Sequence, residues 1–289
     1  MAKAKIKIIF RRFIALYFNP LVEFVYRIKF KFISFGKPPI IILTPGKVGS
    51  SSIYKTLKSE FKNPVFHIHR LSAGGVEHSI MQHLNSDRKS RPLHLIVAKL
   101  LREKLKAYDG DLYIITSIRE PISRAVSAFF QNTDFYKNEI EKAGLNIDQD
   151  KAKKLLSEKL DASITDKLEN WFEEEIKRNF NIDVFEEPFN TSNNYLIKRK
   201  DDISYLLLKM EALDETFPIA IKDFLDLPST LKLKNTNIGS EKHYSKAYRN
   251  IKKDISINTK DLEKIIKSKF FKKFYPNSTE LVKQKWGDT

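Results

Sequence analysis

The stretch Thr44-Pro-Gly-Lys-Val-Gly-Ser-Ser-Ser52 puts one lysine, two glycines and three serines directly after the apolar run Ile40–Leu43. A strand, a glycine turn and a helix start together form an anion site. Backbone N–H groups and the positive end of the helix dipole both favour negative charge there. Ser50, Ser51 and Ser52 would add hydroxyl donors, and Lys47 a mobile point charge. The serines could instead simply cap the helix, but capping leaves the lysine unexplained. In the nucleoside-triphosphate loop the lysine follows the last glycine and precedes Ser or Thr. Here Lys47 precedes Gly49, which argues against a triphosphate as the guest.

A second stretch, Arg119-Glu-Pro-Ile-Ser-Arg-Ala-Val-Ser127, offers another anion site. Arg119 closes an apolar segment, and Ser127 falls about two turns into the helix that follows. An arginine fork with a hydroxyl nearby suits a second phosphate. The alternative is a strand-end arginine paired with Glu120 or another acid.

The elements around these residues alternate. Ile40–Leu43 reads as a buried strand and Ser50–Phe61 as a helix. Pro64–His69 reads as a second strand, Ser72–Gly75 as a loop, and Arg91–Tyr108 as an amphipathic helix. Leu112–Thr116 is a third strand, and Pro121–Gln131 a helix with proline at its first position. Residues 134–160 suggest a polar surface insertion, Ile164–Phe180 one amphipathic helix, Tyr205–Lys209 a fourth strand and Thr216–Leu225 a short helix. Asn235–Lys242 reads as a loop before a helical, aromatic-rich C-terminus. The alternation predicts an α/β fold of three layers, with a mostly parallel sheet covered on both faces. Ligands bind beyond the carboxyl ends of such strands. The loops at 44–50, 69–77 and 117–120 should meet there.

The two phosphate stretches together carry a resemblance. Lys47-Val-Gly-Ser-Ser-Ser52 resembles the 5′-phosphosulfate loop of the sulfotransferases. Arg119-x-Pro-x-x-Arg-x-x-Ser127 resembles their 3′-phosphate motif. The segments NWFEEEIKRNFNIDVFEEPFN, LLLKMEAL and FFKKFYPNSTELVKQKW resemble bacterial sulfotransferase-like capsular polysaccharide synthesis proteins. The likeness implies the P-loop-NTPase-like sulfotransferase fold. It implies sulfuryl transfer from 3′-phosphoadenosine 5′-phosphosulfate (PAPS), with adenosine 3′,5′-bisphosphate as product and no metal. Lys47 would contact the bridging oxygen and stabilise the leaving phosphate. Gly49, Ser50, Ser51 and Ser52 would cradle the 5′-phosphate, and Arg119 and Ser127 the 3′-phosphate. The implied acceptor is a saccharide or glycolipid hydroxyl.

That acceptor needs a base. His67-Ile68-His69 lies on the second strand, where alternation puts both rings on one face. His-x-His here also resembles the polysaccharide 2-O-sulfotransferases, in which such a histidine is the base. His69, nearer the carboxyl end, is favoured over His67; Glu77 and His78 are rivals. A metal reading of His67, His69 and His78 is weaker. Trp171 could stack on a sugar, but its spacing with Leu168 and Phe172 favours the core. Glu211 is expected to orient a loop or the acceptor, with no catalytic role. The late Arg-Lys-Gly loop of some sulfotransferases is not evident; Asn235–Tyr244, with Gly239, Lys242 and Tyr244, occupies a comparable place.

The bulk composition sets the remaining bounds. The 289 residues carry a net charge of +16, 42% hydrophobic and 30% charged residues, and no cysteine. The charged fraction argues against a wholly membrane-embedded protein. Without cysteine there is no disulfide and no thiolate metal site, which fits a reducing cytoplasm. Nine cations face one acid, Glu23, in residues 1–37. Between Arg12 and Arg27 the apolar stretch is shorter than the ~20 residues of a spanning helix. We therefore expect a basic aromatic arm over 1–37, on an anionic membrane surface or packed on the body, and one domain over 38–289. The expected location is cytoplasmic, peripheral to the inner face of the membrane. The charge alone would also suit a nucleic-acid binder, a rival reading the paired phosphate motifs disfavour. A kinase or another transferase on the same fold is a third.

Overall fold

The computed structural model describes residues 19–85, 92–132, 141–142, 146–234 and 245–287. Its centre is a five-stranded sheet in the order β2-β1-β3-β7-β6. These strands are β1 (Ile40–Leu43), β2 (Val65–Ile68), β3 (Leu112–Ile118), β6 (Tyr195–Lys200) and β7 (Ile203–Lys209). A two-residue ribbon, β4 (Glu141–Lys142) with β5 (Asn146–Ile147), stands apart from it. β1, β2, β3 and β7 run parallel, and β6 pairs antiparallel with β7.

The strand side chains divide between two cores, as alternation requires. Ile41, Leu43, Ile114 and Ile118 enter a large core on one face; Ile40, Ile42 and Ile115 enter a smaller one on the other. Helices α2 (Ser50–Glu60) and α8 (Leu213–Phe224) cover the smaller core. The larger is covered by α1 (Asn19–Phe32), α3 (Ala73–Leu84), α4 (Leu93–Leu105), α5 (Pro121–Gln131), α6 (Gln149–Lys159) and α7 (Ser163–Phe172). The C-terminal helices α9 (Ser245–Asp254), α10 (Thr259–Lys267), α11 (Lys269–Phe274) and α12 (Thr279–Trp286) close the same side. The architecture is thus α/β, with a mostly parallel sheet between helical layers.

The structure corrects several sequence expectations. The second strand ends at Ile68, so His69 lies just beyond it. Ser72–Gly75 is no open loop: the Ser72 hydroxyl accepts from the Gly75 N–H at 3.1 Å and caps α3. Within the supposed insertion, Ala152 and Leu156 of α6 are buried. The expected helix over Ile164–Phe180 is interrupted by a π turn, Glu173–Lys177. Its wider turn lets two consecutive residues, Glu175 and Ile176, both point inward. β6 was not anticipated, because Lys198, Arg199 and Lys200 look like solvent-exposed chain. Lysines are common on an edge strand, where they hinder pairing with another chain. Of the N-terminal arm, α1 is a helix packed on the body through Phe30, with Val22 and Tyr26 against the same core. Residues 1–18 and Asn235–Tyr244 lie outside the described residues.

Candidate anion site at the sheet switch point

From β1 the chain goes to β2 on one side and returns to β3 on the other, so β1 and β3 flank the topological switch point. The turns after both strands border that crevice. In the first, Gly46, Lys47 and Gly49 take positive φ of 77°, 64° and 78°. Left-handed residues set within a turn, such as Gly49 after Val48, gather backbone N–H groups into a concave nest suited to an anion. Gly49 is the N-cap of α2 and no side chain caps that terminus. The serines therefore do not serve as caps: the buried Ser50 hydroxyl bonds His67 Nε2 at 2.9 Å instead.

The turn is tied down by its carbonyls. Ser117 Oγ donates to Val48 O at 2.6 Å, Arg119 Nη1 to Lys47 O at 3.4 Å and Arg124 Nη1 to Pro45 O at 3.4 Å. In a trans peptide the N–H points opposite to the carbonyl. The amides of Gly46, Val48 and Gly49 therefore face away from the groups that hold the turn. A Cβ on Gly49 would lie 2.9 Å from Leu213 Cδ2, so α8 also fixes the turn.

Cations collect on the α5 side. Lys47 Nζ donates to Gln131 Oε1 at 2.6 Å, reaching from the turn to the end of α5. Arg124, Ser127 and Gln131 recur at helical spacing, so they share one face of α5. Burial pushes the Arg124 guanidinium down to about 10, and the charges of Arg119 and Arg70 push the same way. Its Nε is buried with no hydrogen-bond partner. Such an atom costs free energy unless something supplies an acceptor.

The neighbouring carboxylates are occupied elsewhere. Glu120 does not pair with Arg119. It caps α5 by accepting from Ile122 N at 2.7 Å and Ser123 N at 2.9 Å, and accepts from Trp286 Nε1 at 3.2 Å. Glu211 accepts from Glu120 N at 2.7 Å and from the Tyr275 hydroxyl at 3.1 Å. The buried Glu175 accepts from Leu71 N and Ser72 N at 2.6 and 2.8 Å, and meets Arg70 Nη1 at 3.4 Å. Glu211 and Glu175 thus orient the loops that border the crevice.

Four of the protein's histidines form a row. The His67 and His69 rings are 5.1 Å apart edge to face, His94 lies 5.8 Å from His69, and His83 lies 6.3 Å from His94. Tyr54 stacks on His67 at 5.6 Å. Burial above all, with the charges of His69 and His94, lowers His67 to about 3. His69 is also lowered, chiefly by burial; its bond to Thr44 opposes the shift, and Arg70 and Lys47 add to it. His69 Nδ1 lies 3.0 Å from Thr44 O, which only accepts, so Nδ1 carries the hydrogen and Nε2 the lone pair. Trp171, 3% exposed, donates from Nε1 to His69 O at 2.9 Å, which makes it a core residue that clamps the histidine backbone. Glu77 and His78 are exposed on α3. Among the described residues no cluster of three or more His, Asp or Glu has metal-holding geometry.

The crevice therefore brings together Lys47, Gly49, Ser50, Arg119 and the Ser127 face of α5, with His67 and His69 against the same turn. Ser51 and Ser52 fill the first turn of α2, Ser52 buried and Ser51 partly so. Sequence reading missed Arg70, His94, Gln131 and Glu175 as members, and passed over Arg124 although it stands in the Arg-x-Pro-x-x-Arg stretch. That spacing was the one signal available for it; the others arrive through contacts distant in sequence.

No relative matches among curated proteins, and none among solved structures. A family model described as "Putative capsular polysaccharide synthesis protein" matches residues 144–276. The matched part runs from just before β5 to just past α11 and leaves out the Thr44–Gly49 turn and α5. Over that stretch, the chain is similar to the capsular polysaccharide synthesis family.

Proposed function

We propose that the protein is a sulfotransferase with a P-loop-like sulfotransferase fold, moving a sulfuryl group from PAPS to a saccharide or glycolipid hydroxyl. One observation carries the reading. At a single crevice, the turn that carries the amide nest and Lys47 is fastened to α5 by Arg124 and Gln131, and Arg124 there keeps a buried Nε without a partner. PAPS needs two anion holders, one at its 5′-phosphosulfate and one at its 3′-phosphate, and would supply an activated sulfuryl group. On this reading Gly49, Ser50, Ser51 and Ser52 hold the 5′-phosphate. Arg119, Arg124 and Ser127 hold the 3′-phosphate.

Lys47 would exchange the Gln131 amide for the bridging oxygen and neutralise the departing phosphate. His69 would take the acceptor proton on Nε2 as the acceptor oxygen–sulfur bond forms and the sulfur–oxygen bond to the 5′-phosphate breaks. His67 is the poorer base: Ser50 occupies its Nε2, and a group held near 3 takes up protons weakly. The likeness to capsular polysaccharide synthesis proteins supports a saccharide acceptor.

Titration calorimetry with adenosine 3′,5′-bisphosphate tests the donor site, and labelled PAPS with a panel of surface polysaccharides tests the transfer. We expect Lys47→Ala, Arg119→Ala and Arg124→Gln each to weaken nucleotide binding at least ~10-fold, the size of a lost charge-assisted bond. Adenosine 5′-phosphate should bind more weakly than the bisphosphate. Absence of both binding and transfer would sink the proposal. So would equal affinity for the two nucleotides, because nothing would then be reading the 3′-phosphate.

A further inference from the structure

Helix α1 has two apolar faces, and the body of the protein uses only one. Val22, Tyr26 and Phe30 recur every four residues and pack on the larger core. Leu21, Phe24, Val25, Ile28 and Phe32 remain 53%, 58%, 41%, 42% and 79% exposed. At about 100° per residue these five form a stripe roughly 100° wide on the far side of the helix. Lys29 and Lys31 border the stripe on either side. Arg27 bonds Glu23 at 2.9 Å and lies 3.8 Å from Glu103 of α4, so it serves the packed side.

The borders decide what covers the stripe. The 18 residues before α1 carry five cations and no acid, and residues 1–37 together carry +8 (nine cations, one acid). A second copy of the chain would bring the same positive charge to the contact. An anionic lipid surface offers the complement: acyl chains for the stripe and headgroups for the flanking lysines. The helix has 14 residues, about 21 Å, short of the ~30 Å hydrocarbon core. No described helix is long and apolar enough to cross a membrane.

We propose that α1 lies flat in the headgroup layer of an anionic membrane, with its inner face packed on the body. The helix thereby anchors the protein at the membrane surface. This inference does not depend on sulfuryl transfer. The test is co-sedimentation of the full chain with phosphatidylglycerol/phosphatidylcholine vesicles and with phosphatidylcholine alone, at low and high salt. Expected is binding to the anionic vesicles, weakened by salt and reduced at least ~10-fold in the Phe24→Ser/Phe32→Ser variant. Both residues are exposed, so that variant should keep the parent thermal midpoint, which separates lost docking from lost folding. The proposal fails if the anionic vesicles do not bind, or if the double variant binds as well as the parent. It also fails if sedimentation velocity shows a dimer that the double substitution dissociates, since the stripe would then belong to a second copy.

Discussion

His67 and His69 show how a residue's surroundings decide its chemistry. Both rings sit against the Thr44–Gly49 turn, and both are held below their ordinary value of 6.5. The sign of the pH effect follows. Below 6.5 the unfolded chain protonates these histidines while the folded protein keeps them neutral, so the unfolded state binds more protons. Their contribution to stability is complete above 6.5 and is lost as pH falls toward the folded value of about 3 for His67. One such proton costs on the order of 1 kcal/mol per pH unit within that window. Urea unfolding at about pH 7.5 and about pH 5 should show this loss, and His67→Gln should flatten it. An unchanged slope in His67→Gln would place the acid sensitivity elsewhere. For transfer, the acid limb of the rate profile should lie below 6.5, because His69 stays neutral there.

At the scale of elements, the β1 turn is specified by backbone conformation more than by side chains. Gly49 combines φ of 78° with a Cβ position 2.9 Å from Leu213 Cδ2. Gly49→Ala should cost about 1–3 kcal/mol, from the left-handed conformation plus displacement of Leu213, and should weaken adenosine 3′,5′-bisphosphate binding. Gly74→Ala is the control: nothing lies within 4 Å of its Cβ, so a melting curve should show no loss. Equal losses in both variants would mean that the turn conformation is not what matters. The turn was legible in sequence because apolar residues, glycines and serines change over within a few positions. Arg119 and Pro121 marked the second turn for the same reason. The π turn was not legible: its signal is a buried carboxylate, Glu175, whose partners lie about a hundred residues upstream. β6 was hidden because its cations mask a two-residue return at Asp201–Asp202, with Asp201 at φ 50°. The histidine row could be read only as far as His67 and His69, since His83 and His94 reach it from other helices.

At the scale of the whole molecule, the end of the chain is fastened to the crevice it helps to shape. Trp286 is fully buried, and its Nε1–H bonds Glu120, the residue that caps α5 beside Arg119. Tyr275 reaches Glu211, which in turn accepts from the Glu120 backbone. Lys285, beside Trp286, donates to Ser123 of α5 at 3.3 Å. Removing the indole therefore does two separable things. Trp286→Ala empties a large core volume and should cost ~3–5 kcal/mol of stability. Trp286→Phe keeps most of the apolar volume but leaves Glu120 one donor short, a loss of ~1–3 kcal/mol. If the C-terminal segment only fills space, Trp286→Phe should bind adenosine 3′,5′-bisphosphate like the parent. If it sets the start of α5, affinity should drop in Trp286→Phe while the fold persists by circular dichroism. We expect the second result, because hydrogen bonds from Tyr275, Lys285 and Trp286 converge on Glu211, Ser123 and Glu120 at the mouth of the crevice.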